Sequence, residues 1–231
     1  MEVARQRAAA GAPEGHVVVA DAQTAGRGRR GRSWHSPPGA GLWCTVLLRP
    51  AGERIETLGL VAGAAVLEAL HALGATDARL KWPNDILVHR RKLCGILLAA
   101  EGQVPKTPVV LLGIGVNLGA ATAVDLPAEI GALYVGLDEV VAEPVAADAV
   151  LAALLASFAQ HYSRWSQIGL DSALEWWRRF DVLRGNRVTA EGPEGPVVGV
   201  ADGLDPSGAL RVRRDAGDIV LVRAGEVQRV R

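Results

Sequence analysis

Two long apolar runs, KLCGILLAA (Lys92–Ala100) and PVVLLGIGVN (Pro108–Asn117), set the strongest limit on what this chain can fold into. Continuous runs of this kind suit strands that are covered on both faces. HVVVAD (His16–Asp21), LWCTVLLRP (Leu42–Pro50) and ARLKW (Ala78–Trp82) add three more strand-like segments. Cover comes from Ile55–Leu73, where apolar residues recur at helical spacing until Gly74 stops them. Further helices are predicted over Glu2–Ala10, Ala146–Trp165 and Leu170 to about Phe180, with Trp165, Trp176 and Trp177 as core or domain-contact residues.

The texture changes near Leu183. From Arg187 onward, short alternating strands are punctuated by DPSG (Asp205–Gly208) and DAGD (Asp215–Asp218), the pattern of a small β-barrel. The expected organisation is therefore a catalytic-size domain over residues 1–182 and a compact all-β module over 183–231. The fold class is α+β (mixed α/β), and 231 residues are enough for one substantial domain plus a small one.

Charge argues against a general nucleic-acid binder, because 25 basic residues are balanced by 25 acidic ones. Yet GRGRRGR (Gly26–Arg32) concentrates four arginines among three glycines in a loop. Guanidinium forks recognise phosphate and carboxylate, and glycines let backbone approach a ligand closely. On those seven residues alone, a solvated basic loop, a nucleic-acid contact and an anion-binding loop all remain open. The order of residues is not that of a P-loop. Cys44 and Cys94 lie inside apolar runs and read as reduced, buried thiols; the five histidines show no metal-ligand spacing, so no direct protein metal ligand is assigned. The N-terminus lacks the apolar core of a signal peptide, and no uninterrupted apolar run is long enough to cross a membrane. A cytoplasmic protein with no membrane association is expected.

Four polar, glycine-marked motifs sit at the edges of the buried strands: QTAGRGRRGRSW (Gln23–Trp34), KWPND (Lys81–Asp85), RKLCGIL (Arg91–Leu97) and GIGVN (Gly113–Asn117). Singly, each has an ordinary explanation as a turn, a solvated lysine or a packing glycine. Together they are harder to dismiss, since loops at strand ends are where a rigid scaffold displays its chemistry.

In order and approximate spacing these motifs resemble those of the biotin protein ligases, also called biotin–[acetyl-CoA-carboxylase] ligases. The stretch from LRGNRV to AGEVQRVR looks like that family's C-terminal SH3-like β-barrel. The resemblance implies a catalytic domain related to class II aminoacyl-tRNA synthetases. It also implies a two-step reaction: biotin and ATP, with Mg²⁺, give biotinyl-5′-AMP and pyrophosphate, and the acyl group then passes to one lysine of a biotin carboxyl carrier protein or domain. By the same resemblance Gln23, Gly26, Arg27, Gly28, Arg29 and Lys92 contact biotin or its adenylate. Gly95 and Ile96 line the biotin pocket with backbone, and Asn117, Gly115 and Lys81 lie in the vicinity of the nucleotide or metal. Lys92, Arg29 and Asp85 are the catalytic candidates, Asp85 to orient the acceptor amine or take its proton, with a turn-capping role as its alternative. Trp34 packs over the ligand or anchors the loop.

Some relatives carry an N-terminal helix-turn-helix domain. Too few residues precede the arginine loop here for one, so no sequence-specific DNA binding is expected. The family's catalytic domain usually opens with a strand leading into Ser-Thr-Asn, and this chain begins where that motif ends, so its N-terminal edge is expected to be truncated. A homodimer is left open. The rival readings are an Arg/Gly-loop nucleic-acid-binding module and a biotin-binding relative with weak activity.

Overall fold

The structure, a computed structural model, describes residues 1–51, 54–101, 108–119, 131–192 and 195–229. Val230 and Arg231, the end of the expected barrel, lie outside the described residues. Along the chain come α1 (Glu2–Ala9), β1 (Val17–Ala20), β2 (Gly41–Leu48), α2 (Leu58–Ala72), β3 (Arg79–Lys81), β4 (Asp85–Val88), β5 (Arg91–Glu101) and β6 (Val109–Asn117). They are followed by α3 (Ala147–Ile168), α4 (Asp171–Phe180), β7 (Arg187–Gly192), β8 (Gly195–Leu204), β9 (Leu210–Arg213), β10 (Ile219–Val222) and β11 (Val227–Arg229). Strands β1 to β6 form one antiparallel sheet in the order β1-β2-β6-β5-β4-β3.

The two faces of this sheet are covered unequally. Residues that point one way along β2 and β6, such as Leu42, Cys44, Val46, Leu112, Ile114 and Val116, pack into the large core with α2 and α3. Alternate residues point the other way. At one end of that second face Leu47 and Leu111 meet Ala4 of α1 in a small separate cluster. Met1 reaches over Gly113, and beyond it lie Trp43 and Gly115, which meet Trp34 instead.

Helix α2 is apolar nearly all round and buried to match. By length and composition Ile55–Ala72 could cross a membrane, which a reading of uninterrupted runs did not register; here protein surrounds it. Gly63 lets the Trp177 indole of α4 lie against the helix: a Cβ there would sit 3.1 Å from the ring. The same indole donates to the Leu60 carbonyl at 3.0 Å, so a polar group inside the core is satisfied.

The second sheet has the order β10-β9-β8-β7-β11, all antiparallel, with a register shift in β8 between Ala201 and Leu204. Its interior residues Val188, Leu210, Val212 and Val222 belong to the same continuous core as α2. The DPSG turn forms as expected: the Asp205 carboxylate accepts from the amides of Ser207 and Ala209. Gly208 at its end, with φ of 84°, presses on Leu60 and Leu170, and its carbonyl accepts from Trp82 Nε1 at 3.1 Å.

Trp177→Ala should lower unfolding free energy by about 3–5 kcal/mol, read from urea denaturation with an unchanged slope.

Candidate functional site

The arginine loop is a hairpin. Gln23 N donates to Ser36 O, Trp34 N to Gly26 O and Gly28 N to Arg32 O, at 3.0, 2.8 and 2.7 Å. Its tip, Arg29–Gly31, turns with positive φ at Arg30 (59°) and Gly31 (74°). Gly26 is forced by close packing, since a Cβ there would lie 2.2 Å from the Trp34 carbonyl. Gln23 Oε1 accepts from Ser36 at 2.8 Å, whereas Arg27 is exposed.

Below the hairpin, Gly95 of β5 faces Gly115 of β6 in register, and Gly115 faces Trp43 of β2. The missing side chains leave a bare strip of backbone. The Trp34 ring lies on it: a Cβ on Gly95 or Gly115 would come within 2.9 or 3.1 Å of the indole. Trp34 meets Trp43 edge-on at 6.3 Å between centroids, and both indole N–H groups are buried without an acceptor among the described residues. Two unsatisfied donors thus sit where the indole covers the glycine strip, and buried donors of this kind cost free energy until a partner is supplied.

Charge converges at one end of this strip. Lys81 and Asp85 face each other across the β3–β4 hairpin, and Asp85 pairs in register with Gly95 of β5. Lys92 Nζ sits 2.7 Å from Asp85 Oδ1 and 4.9 Å from the Trp34 ring centroid. Arg29 Nη1 donates to Asn84 Oδ1 at 3.2 Å, while Asn84 Nδ2 donates to the Ile96 carbonyl at 2.8 Å. The side chain of Ile96 points into the helix-side core; only its backbone belongs to the site. Burial pulls Lys81 below its ordinary value of 10.5; Asp85 opposes that shift, and Lys92 and Arg32 add to it. Burial likewise lowers Arg29, again with Asp85 opposing. Three cations around one carboxylate leave an excess of positive charge, which favours an anionic ligand.

Asn117, expected by resemblance in the vicinity of the nucleotide or metal, lies at the end of β6 behind the Lys92 backbone. It is 3 % exposed, and its Nδ2 donates to the Lys92 carbonyl at 2.8 Å. Lys92 N also donates to Leu133 O, and Lys92 O accepts from Val135 N, so the backbone carrying the lysine is clamped from three sides. Sequence reasoning named neither this clamp nor Asn84 as a site residue; the amide inside KWPND was the available signal for the latter.

Among the described residues, no group of three or more His, Cys, Asp or Glu could hold a metal ion. Both cysteines are free and buried, and burial pushes Cys44 up to about 12 and Cys94 higher still, so neither is a nucleophile near neutrality. A cavity of about 120 Å³ lined by Leu174, Trp177, Arg178, Arg184 and Asp202 shares no residue with the site.

Residues 4–117 match the family described as "Biotin/lipoate A/B protein ligase family", and residues 185–230 match "Biotin protein ligase C terminal domain". The chain is 35% identical to the biotin–[acetyl-CoA-carboxylase] ligase of Mycobacterium tuberculosis over 97% of its own length and 83% of that protein's. It is 33% identical to the bifunctional ligase/repressor BirA of Bacillus spizizenii over 89% of its own length, and spans 64% of that relative's. The biotin protein ligase of Aquifex aeolicus, solved in complex with biotin and ATP, superposes with a TM-score of 0.81 at 28% identity, covering 94% of this chain and 90% of that one.

Because burial lowers Lys81 in the folded chain, the cost of burying its charge is greatest below that lowered value. The cost fades as pH rises through the lowered folded value towards 10.5. Lys81→Met should therefore raise the urea midpoint at pH 7, and its advantage should shrink as pH approaches 10.5.

Proposed function

Because this chain belongs to the biotin protein ligase family, we propose that it activates biotin with ATP to biotinyl-5′-AMP and passes the acyl group to a lysine of a biotin carboxyl carrier protein. The observation that carries this reading is the cationic cluster of Arg29, Lys81 and Lys92 around Asp85, set at the end of a glycine-floored groove.

In the first step a biotin carboxylate oxygen attacks the α-phosphorus of ATP and pyrophosphate leaves. Both reactants are anions that repel in water. Lys92 and Arg29 offset that repulsion and the charge that builds on the phosphoryl oxygens, and Lys81 adds to the local field. Fixing the two in attack geometry supplies much of the remaining acceleration. The apolar part of biotin suits the Gly95–Gly115 strip under Trp34, with Gln23, Gly26, Arg27 and Gly28 forming the hairpin's ligand-facing side. In the second step the carrier's neutral lysine amine attacks the carbonyl carbon, AMP leaves and an amide forms. Asp85 orients that amine or accepts its proton. Asn117 serves by holding Lys92 in place.

Mg²⁺ enters the proposal as the counter-ion of ATP. The described side chains offer too few acidic ligands to lodge it, and Mg²⁺ ordinarily keeps several waters beside substrate phosphates. Two buried, reduced thiols suit a cytoplasmic setting. The nucleic-acid reading of the loop loses ground, because Arg29, Arg30 and Arg32 are engaged within the protein rather than presented as a free basic stripe.

The test is pyrophosphate release from biotin and Mg-ATP, followed by streptavidin detection of a carrier domain. Lys92→Ala should reduce kcat/KM by about 100-fold or more. Arg29→Gly should loosen the adenylate and label bystander lysines; an adenylate held as tightly as in the parent chain would remove Arg29 from the phosphate site.

A further inference from the structure

The tip of the arginine hairpin is seated on the second sheet. Arg30 Nη1 donates to Glu191 Oε1 at 2.6 Å, Arg32 pairs with Glu226, and Arg29 Nη1 donates to the Gly225 carbonyl at 3.2 Å. The three acceptors form one socket. Glu191 is the penultimate residue of β7 and Glu226 precedes β11, and Glu191 N donates to Glu226 O at 3.2 Å. Gly225, with φ of 135°, lets that turn press against Glu191: a Cβ there would lie 3.0 Å from the Glu191 Cβ and carbonyl.

We propose that Glu191 and Glu226 are positioning residues that hold the arginine hairpin over the groove, so that the second sheet sets the geometry of a site to which it donates no catalytic group. The hairpin transmits the constraint. Arg32 lies two residues before Trp34, and Trp34 N is bonded to Gly26 O within the same ribbon. Lifting the tip therefore moves the indole off Gly95 and Gly115 and withdraws Arg29 from Asn84. Both ion pairs are partly exposed, with arginine side chains 52% and 61% accessible and the acids 47% and 31%. Such pairs are individually weak and screened by salt, which makes the latch reversible and lets ligand reach the groove.

The test is hydrogen–deuterium exchange of residues 23–36 in the full chain without ligand. At low salt the double variant Glu191→Lys/Glu226→Lys should raise exchange at Gly28 and Trp34 about tenfold. The parent chain should approach that rate in about 1 M salt, where the screening length is ~3 Å. Asp215→Lys, which breaks the Arg187 pair elsewhere on the same sheet, should leave the segment unchanged. Adding Arg30→Glu and Arg32→Glu to the double variant should restore protection. Unchanged exchange in the double variant, or no recovery on charge reversal, overturns the latch.

A kinetic arm rests on the ligase reading: the double variant should raise KM for biotin about tenfold with a smaller fall in kcat. Absence of ligase activity in the parent chain would remove that reading and leave the exchange result standing.

Discussion

Gly95 and Gly115 face each other across β5 and β6, and the working face of the protein depends on what they lack. On the opposite face the same two strands supply Ile96, Ile114 and Val116 to the core. Alternation along a strand lets one segment do both jobs, burying large side chains on one side and baring backbone on the other. The bare side must still be shielded. Helix α1 covers the end near Leu47 and Leu111, with Met1 reaching Gly113, and a hairpin carrying one large aromatic, Trp34, covers Gly95 and Gly115. A hairpin can lift more easily than a packed helix, so a site that must admit a ligand is closed by the weaker of the two covers.

The electrostatics follow from the same geometry. The β3–β4 hairpin is short, so Lys81 and Asp85 lie opposite one another, and the β4–β5 pairing brings Asp85 beside Gly95. A single carboxylate thereby serves Lys81, Lys92 and Arg29. It keeps the cluster from repelling itself apart while leaving an excess of positive charge. Fixed cations are useful only if they cannot relax, and Lys92 is immobilised through its backbone by Asn117, Leu133 and Val135. The Asn117 amide thus fixes the backbone that carries Lys92.

The large elements were legible because their signals are local. The apolar runs Lys92–Ala100 and Pro108–Asn117 became β5 and β6 within a residue or so at each end, and Asp205–Gly208 is a turn closed by its own aspartate. Strand β4 was missed. Its four residues follow a proline turn, and it is joined to β5 by His89 and Arg90, both at positive φ, where the usual sequence signal is Asn-Gly. GRGRRGR was read as a loop, and spacing gave no sign of a hairpin, because its ribbon is held by three backbone bonds that any residues could make. Site residues inside motifs were nameable one by one. Their partners were not: Arg30 meets Glu191 from 161 positions away, and nothing near either residue announces the other.

The seam between the two sheets limits how such a chain can be rebuilt. Gly208 sits hard against Leu60 and Leu170, and Trp82 donates its indole N–H to the Gly208 carbonyl. A second sheet grafted from a relative would therefore have to bring a turn of the same depth, or the recipient's Trp82 would be left with a buried donor and no acceptor. Exchange of modules between relatives is thus constrained less at the linker than at this one glycine. Successful chimeras should cross over after it, keeping Trp82, Leu60 and the 205–208 turn from a single parent.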